Sequence, residues 1–374
     1  MRNVTLVSDV DVAVVGAGPA GSALATMLGR AGVSTALFDA SRFPRDKACG
    51  EGLMPAGVDV LARLGIGLDA FPRLTGVTYR MVGDGAADGA FAAGASGRAV
   101  RRTVFDAMLA AHAAATPNVD ARFGSAVEAI AAGRLKTADG ELQARFVVGA
   151  DGLRSRVARW MGWSRGSRGR ARYAVVGHAH SPAHGLHRVV VTLLDGCEVY
   201  AAPTGADELL LAVLGGKGRV TREAYASAIR VAHPDVIFGG GGRLHGAGPF
   251  WVRPAKVATR GVFLLGDAAG FLDPLTGDGM TDALVAAETL ARLLTDGAPE
   301  PERAYARWEA RQWRRRVFVN RLALALTGSS TLARRALRKL RRRPATLDRL
   351  LAINDGSGSL WSLSPRDWSA LAGI

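Results

Sequence analysis

Residues 11–15 form a short, β-branched apolar stretch that stops at a glycine. Small residues from about Gly18 to Arg30 then follow helical spacing, and a second apolar run occupies 34–38. Strand, helix and strand in that order predict a βαβ opening. Residues 55–64 place Val58, Leu61 and Leu64 on one helical face, and 103–115 do the same with Phe105, Met108, Leu109 and His112. The glycine-rich stretch 83–97 reads as turns between strands. Two short continuous apolar runs, 146–148 and 262–265, have the pattern of buried strands.

The pattern changes after Tyr173. Segments 174–176, 189–194, 199–202 and 209–214 are β-rich and follow one another with no helix between them, which predicts an inserted antiparallel sheet. A helix is expected over 279–294, and the remainder reads as mainly helical with arginine-rich faces and a polar tail from Asn354.

At 374 residues and 48% apolar, the chain is long enough for a sizeable core, and its glycines show no tandem period. Its two cysteines, Cys49 and Cys197, lack zinc-ligand spacing, which points to a reduced, cytoplasmic protein with no metal. Gly16, Gly18, Pro19 and Gly21 break the first apolar run, which argues against a secretory signal or membrane span. The net charge of +15 is concentrated late, in Arg334, Arg335, Arg338, Lys339, Arg341, Arg342 and Arg343. Leu332, Leu337, Leu340 and Leu347 interleave with these charges, so peripheral association with an anionic membrane is expected of this segment; no aromatic stacking set supports nucleic acid. The glycines at 239–242 lack the Lys-Ser/Thr of a phosphate loop.

Candidate chemistry starts at Gly16-Ala17-Gly18-Pro19-Ala20-Gly21, directly after a strand and opening a helix. Gly16 permits the turn, Gly18 admits a pyrophosphate to the backbone, Gly21 lets the helix pack closely, and the helix N-terminus favours the anion. Asp39 ends the next strand, where a carboxylate would accept from a ribose hydroxyl. A second strand delivers Asp151 and Gly152 to the same sheet edge, and a third delivers Gly266 and Asp267. His178 and His180 alternate along one strand and share a face.

These three motifs, in this order, resemble the flavoprotein monooxygenases of the p-hydroxybenzoate hydroxylase superfamily, and more closely the branch with geranylgeranyl reductases and flavin halogenases. The resemblance reaches to about Leu294. It implies an α/β fold: a Rossmann-type FAD-binding domain over 1–74, 99–165 and 255–298, an inserted antiparallel β-sheet substrate domain over 75–98 and 166–254, and a helical C-terminal region over 299–374. It assigns the FAD site to Gly16, Gly18, Pro19, Ala20, Gly21, Asp39, Arg102, Asp151, Gly152, Gly266 and Asp267. Gly277, Gly279 and Met280 are placed at the flavin's pyrimidine edge, where a helix N-terminus stabilises the charge of reduced flavin. Lys47, Cys49 and Gly50 belong to a Cys-Gly-Glu-Gly loop like that of the reductase branch, which lies against the flavin ring. Cys49, Pro274 and Tyr200 are expected to line the catalytic pocket.

The prenyl-reductase motif Tyr-x-Trp-x-Phe-Pro is reduced here to Tyr200 and Pro203, and the tryptophan-halogenase signature is absent. The implied activity is therefore an FAD monooxygenase, hydroxylating or epoxidising a small aromatic or polyketide-like substrate of secondary metabolism through a flavin C4a-hydroperoxide. NAD(P)H, or a separate flavin reductase, would supply electrons. The alternative is reduction of isoprenoid double bonds.

Overall fold

The computed structural model describes residues 9–131, 133–166, 171–237 and 243–373; the glycine run at 239–242 lies outside them. Val12, Ala13 and Val14 are buried completely because their strand, Val10–Val15, is central in a sheet covered on both faces. It pairs in parallel with Thr35–Asp39 on one side and Gly140–Gly149 on the other. Val119–Phe123 and Val262–Leu264 extend the parallel order outward, and Ala258–Thr259 closes one edge antiparallel. Helices Pro19–Arg30, Arg102–Ala114 and Gly279–Thr295 bury Leu24, Phe105, Leu109 and Leu284 against one face. On the other face, strands Val127–Ala131 and Arg134–Thr137 contribute Ile130 and Leu135 to a second core.

The second lobe is a seven-stranded sheet in the order His245–Ala247, Tyr173–His180, Glu208–Gly215, Cys197–Pro203, Val189–Leu194, Gly76–Met81, Gly85–Ala90. It departs from an all-antiparallel sheet at one seam, where Val189–Leu194 runs parallel to Gly76–Met81. The partner strand arrives from an early, distant segment, so no hairpin turn forces the antiparallel sense. Helix Arg222–Ala232 covers one face with Tyr225 and Ile229. The other face, with Val191, Leu193, Tyr200 and Ala212, looks toward the Rossmann lobe and the C-terminal helices.

Those helices span Pro301–Thr327, Ser330–Arg341, Pro344–Asp355 and Pro365–Ala372. Two expectations are corrected here. The segment after Asn354 is not a polar tail, because Ser364 and Asp367 form a reciprocal capping box that starts a last helix, packed through Ala370 and Leu371. Leu337, Leu340 and Leu347 are not free to enter lipid; all three are buried in the core shared with the second sheet, and Leu332 is half-buried. No helix of the described chain is long and apolar enough to cross a membrane.

Candidate active site

Gly16 leaves its strand with φ +107°, and a Cβ there would lie 2.5 Å from the Ala150 carbonyl oxygen, so only glycine makes this turn. Gly21 is under the same constraint, since its Cβ would fall 1.9 Å from the Gly16 carbonyl oxygen. Asp39 fixes the turn from beneath: Oδ2 accepts from the Ala17 amide at 2.8 Å and Oδ1 from the Ser41 amide at 2.8 Å. Arg45, unmarked by any motif, stands beside Gly18 and reaches Asp39 at 3.5 Å and Asp106 at 3.2 Å.

A cavity of about 460 Å³ opens past this turn. Gly18, Pro19, Ala20, Lys47, Cys49, Gly50, Arg102, Asp151, Gly152, Gly266, Asp267, Pro274, Gly277, Gly279 and Met280 all line it, with Tyr200 contributed by the second sheet. Gly16, Gly21 and Asp39 stand behind the wall and shape it. Asp151 Oδ2 accepts from the amides of Arg156 at 2.6 Å and Val157 at 3.1 Å, while its buried Oδ1 has no partner among the described residues. Lys47 Nζ lies 3.8 Å from Asp267. Arg102 is less available than the motif implies, because its Nε and Nη2 are held by buried Asp106 at 2.6 and 2.7 Å; its guanidinium still neighbours the Cys49 thiol.

FAD fits these residues. A backbone turn stripped of side chains meets a helix N-terminus at the cavity wall, a buried Asp151 oxygen without a partner among the described residues lies on the same wall, and Gly279–Met280, also lining it, open a long helix.

Gly50 and Gly52 are required by the opposite wall. A Cβ on Gly52 would lie 2.7 Å from the Tyr200 hydroxyl oxygen, and one on Gly50 3.2 Å from the ring. Burial pushes the Tyr200 phenol well above its usual range, with Cys49 and Glu51 adding to the shift. Three polar side-chain contacts join this loop region to the second sheet: Glu51 to His178 at 2.9 Å, Asp46 to His245 at 3.3 Å, and the ion pair of Arg101 with Glu208. Glu51 also accepts from the Arg102 amide at 2.9 Å. His180 is exposed on the same strand and takes no part. Arg172 bridges the lobes more deeply, donating to Asp273 at 2.7 Å and to Glu198 at 2.6 Å. Asp278, just before the helix Gly279–Thr295, has its carboxyl pushed up to about 6 by burial and then by neighbouring Asp282.

Sequence reasoning did not single out Glu51, Arg172 or Asp278. Glu51 was within reach, sitting inside the Cys-Gly-Glu-Gly loop. Arg172 gave no signal, because its partners lie 26 and 101 residues away. Among the described residues, no group of three His, Cys, Asp or Glu side chains is placed to hold a metal.

Beyond Tyr200 lie two smaller voids, the second of them between the second sheet and the C-terminal helices. The first, of about 30 Å³, is lined by Leu53, Val77, Val189, Val191 and Leu275. The second, of about 80 Å³, is walled by Leu322, Leu326, Leu337, Leu340 and Leu350. Tyr79, Thr276 and Leu351 border both.

Residues 9–182 match the model of the FAD binding domain family, and 244–344 match that of squalene epoxidase. The chain is 30% identical to digeranylgeranylglycerophospholipid reductase 1 of Methanothermobacter thermautotrophicus, over 79% of this chain and 80% of that protein. It is 32% identical to menaquinone reductase of Mycolicibacterium smegmatis, over 77% of this chain and 76% of the relative. Among solved structures, a flavoprotein/dehydrogenase from Cytophaga hutchinsonii superposes with a TM-score of 0.79 at 22% identity, covering 93% of this chain and 92% of that one, a likeness of fold.

Proposed function

Because the chain belongs to the FAD-binding flavoproteins of the p-hydroxybenzoate hydroxylase superfamily and is an FAD-dependent oxidoreductase, we propose that it reduces a carbon–carbon double bond in an apolar, isoprenoid-like substrate. The observation that carries this reading is the placement of the Cys49–Glu51 loop on a cavity that shares Gly52, Tyr200 and Gly277 with a neighbouring, mostly apolar void. Two relatives at 30% identity or more over most of the chain are named reductases.

When bound, FAD in its reduced form supplies the hydride. Saturating the bond also consumes a proton, which must come from the protein or through it. The Tyr200 hydroxyl at the cavity wall, which burial keeps protonated at neutral pH, holds one, and Cys49 stands on the same wall beside Arg102. Apolar walls position the alkene and exclude water, which keeps the reduced cofactor for the substrate. Electrons reach the cofactor from NAD(P)H or from a separate flavin reductase.

The second reading is a monooxygenase that hydroxylates or epoxidises a small aromatic or polyketide-like molecule, favoured by the match of 244–344 to squalene epoxidase. The two separate under strict anaerobiosis. Protein reduced with dithionite and given geranylgeraniol is expected to yield a product heavier by two hydrogens. Turnover only after oxygen is admitted, with a product heavier by one oxygen atom, overturns the reductase reading.

A further inference from the structure

The helix Ser330–Arg341 has two faces with different work. Ala333, Ala336, Leu337 and Leu340 face inward, where they are buried and wall the larger apolar void. Arg335, Arg338, Lys339 and, just past the helix end, Arg342 follow the i, i+3, i+4, i+7 spacing of the opposite stripe, and all are exposed. Arg334 is paired with Asp84 at 2.8 Å. Arg335, Arg338, Lys339, Arg342 and Arg343 have no ion-pair partner among the described residues, and no acidic residue occurs between Ser330 and Leu347.

A row of uncompensated cations is usually a solvated surface. What separates this one is the void directly behind it, lined mainly by leucine and alanine: the same helix is at once a basic surface and the wall of a largely apolar chamber. We infer that the outward face of Ser330–Arg341, with Arg342 and Arg343, docks the protein on an anionic lipid bilayer. Attraction is electrostatic, because Leu337 and Leu340 of this helix are spent on the core and Leu332 is half-buried. Multiple unpaired cations on one stripe suit a sheet of lipid phosphates, which presents many anions in a plane. The inference rests on the charge of one helix and the chamber behind it, and it stands whichever reaction the flavin site performs.

The test uses full-length, FAD-loaded protein floated with phosphatidylcholine vesicles, with and without phosphatidylglycerol. Binding is expected only with phosphatidylglycerol, and is expected to fall at least tenfold when salt is raised from about 0.1 M to about 0.5 M. The combined variant Arg338→Glu, Lys339→Glu, Arg342→Glu is expected to lose at least tenfold in bound fraction while keeping its flavin spectrum and melting temperature. If that combination unfolds, the single change Lys339→Glu should give a smaller loss in the same direction. Failure to float at low salt, equal binding to neutral vesicles, or unchanged binding by the folded variant overturns the proposal. So does a short DNA duplex that displaces the protein from vesicles at equal phosphate, which would make the partner a nucleic acid.

Discussion

His178 Nε2 lies 2.9 Å from Glu51 Oε2, joining a strand of the second sheet to the loop that borders the flavin cavity. Glu51 is 1% exposed and its other oxygen holds the Arg102 amide. Glu51→Ala strips both partners and leaves a buried N–H unpaired, a loss of about 1–3 kcal/mol. His178→Ala removes one contact of a half-buried ring and is expected to cost less. Thermal unfolding of the FAD-loaded variants checks the order; equal losses would mean that Glu51 does no more than pair with the histidine.

The contact between Gly52 and Tyr200 predicts a rescue. Gly52→Ala places a methyl against the phenol oxygen and should cost about 1–3 kcal/mol through overpacking, seen as weaker FAD retention after gel filtration. Tyr200→Phe removes that oxygen. The double variant is expected to recover bound flavin, and no recovery would show that the glycine serves the backbone instead.

Arg172 compensates two carboxylates at once, Glu198 at 4% and Asp273 at 3% exposure. Arg172→Met leaves both carboxylates without a countercharge and should destabilise the fold by about 3–5 kcal/mol in urea titration. Arg172→Lys has a single nitrogen where Nε and Nη2 serve different partners, so it should restore less than half of the loss.

Asp278 makes stability depend on pH. Its carboxyl is raised from 3.8 to about 6, so its favourable contribution is complete below about pH 4 and is lost as pH rises through about 6. Asp278→Asn escapes that loss. The melting temperature of the variant relative to wild type should therefore climb between pH 4 and pH 7 and level off above; a difference that stays flat would place the charged carboxylate in a site that welcomes it.

The Rossmann half was legible because its motifs are local. Gly16, Gly18, Gly21 and Asp39 each follow from a turn or a strand end that one short stretch specifies. Asp151 and Asp267 were also readable, since a buried strand running into Asp-Gly or Gly-Asp fixes where the carboxylate emerges. The connections between lobes were not. Asp46–His245, Glu51–His178 and Arg172–Asp273 unite residues at least 100 positions apart, and nothing in the neighbourhood of either partner announces the other. The parallel seam between Val189–Leu194 and Gly76–Met81 was hidden for the same reason. The alternation of arginine and leucine in 332–347 was read correctly as amphipathic, yet periodicity cannot say whether protein or lipid receives the apolar stripe. The final helix was signalled by Ser364 and Asp367, a cue that the polar composition around it obscured.

The helix Pro301–Thr327 is fastened at three heights. Tyr305 donates to the Leu264 carbonyl at 3.0 Å, Arg315 spans Asp282 and the carbonyls of Ile353 and Asn354, and Asn320 donates to the Asp273 carbonyl at 3.0 Å. It therefore acts as a keyed rod whose rotational phase matters as much as its length. One residue inserted between Tyr305 and Arg315 would turn everything beyond it by about 100°. The lower fastening would survive while both upper ones swung out of line, so evolution can lengthen this protein at its loops far more freely than along that rod.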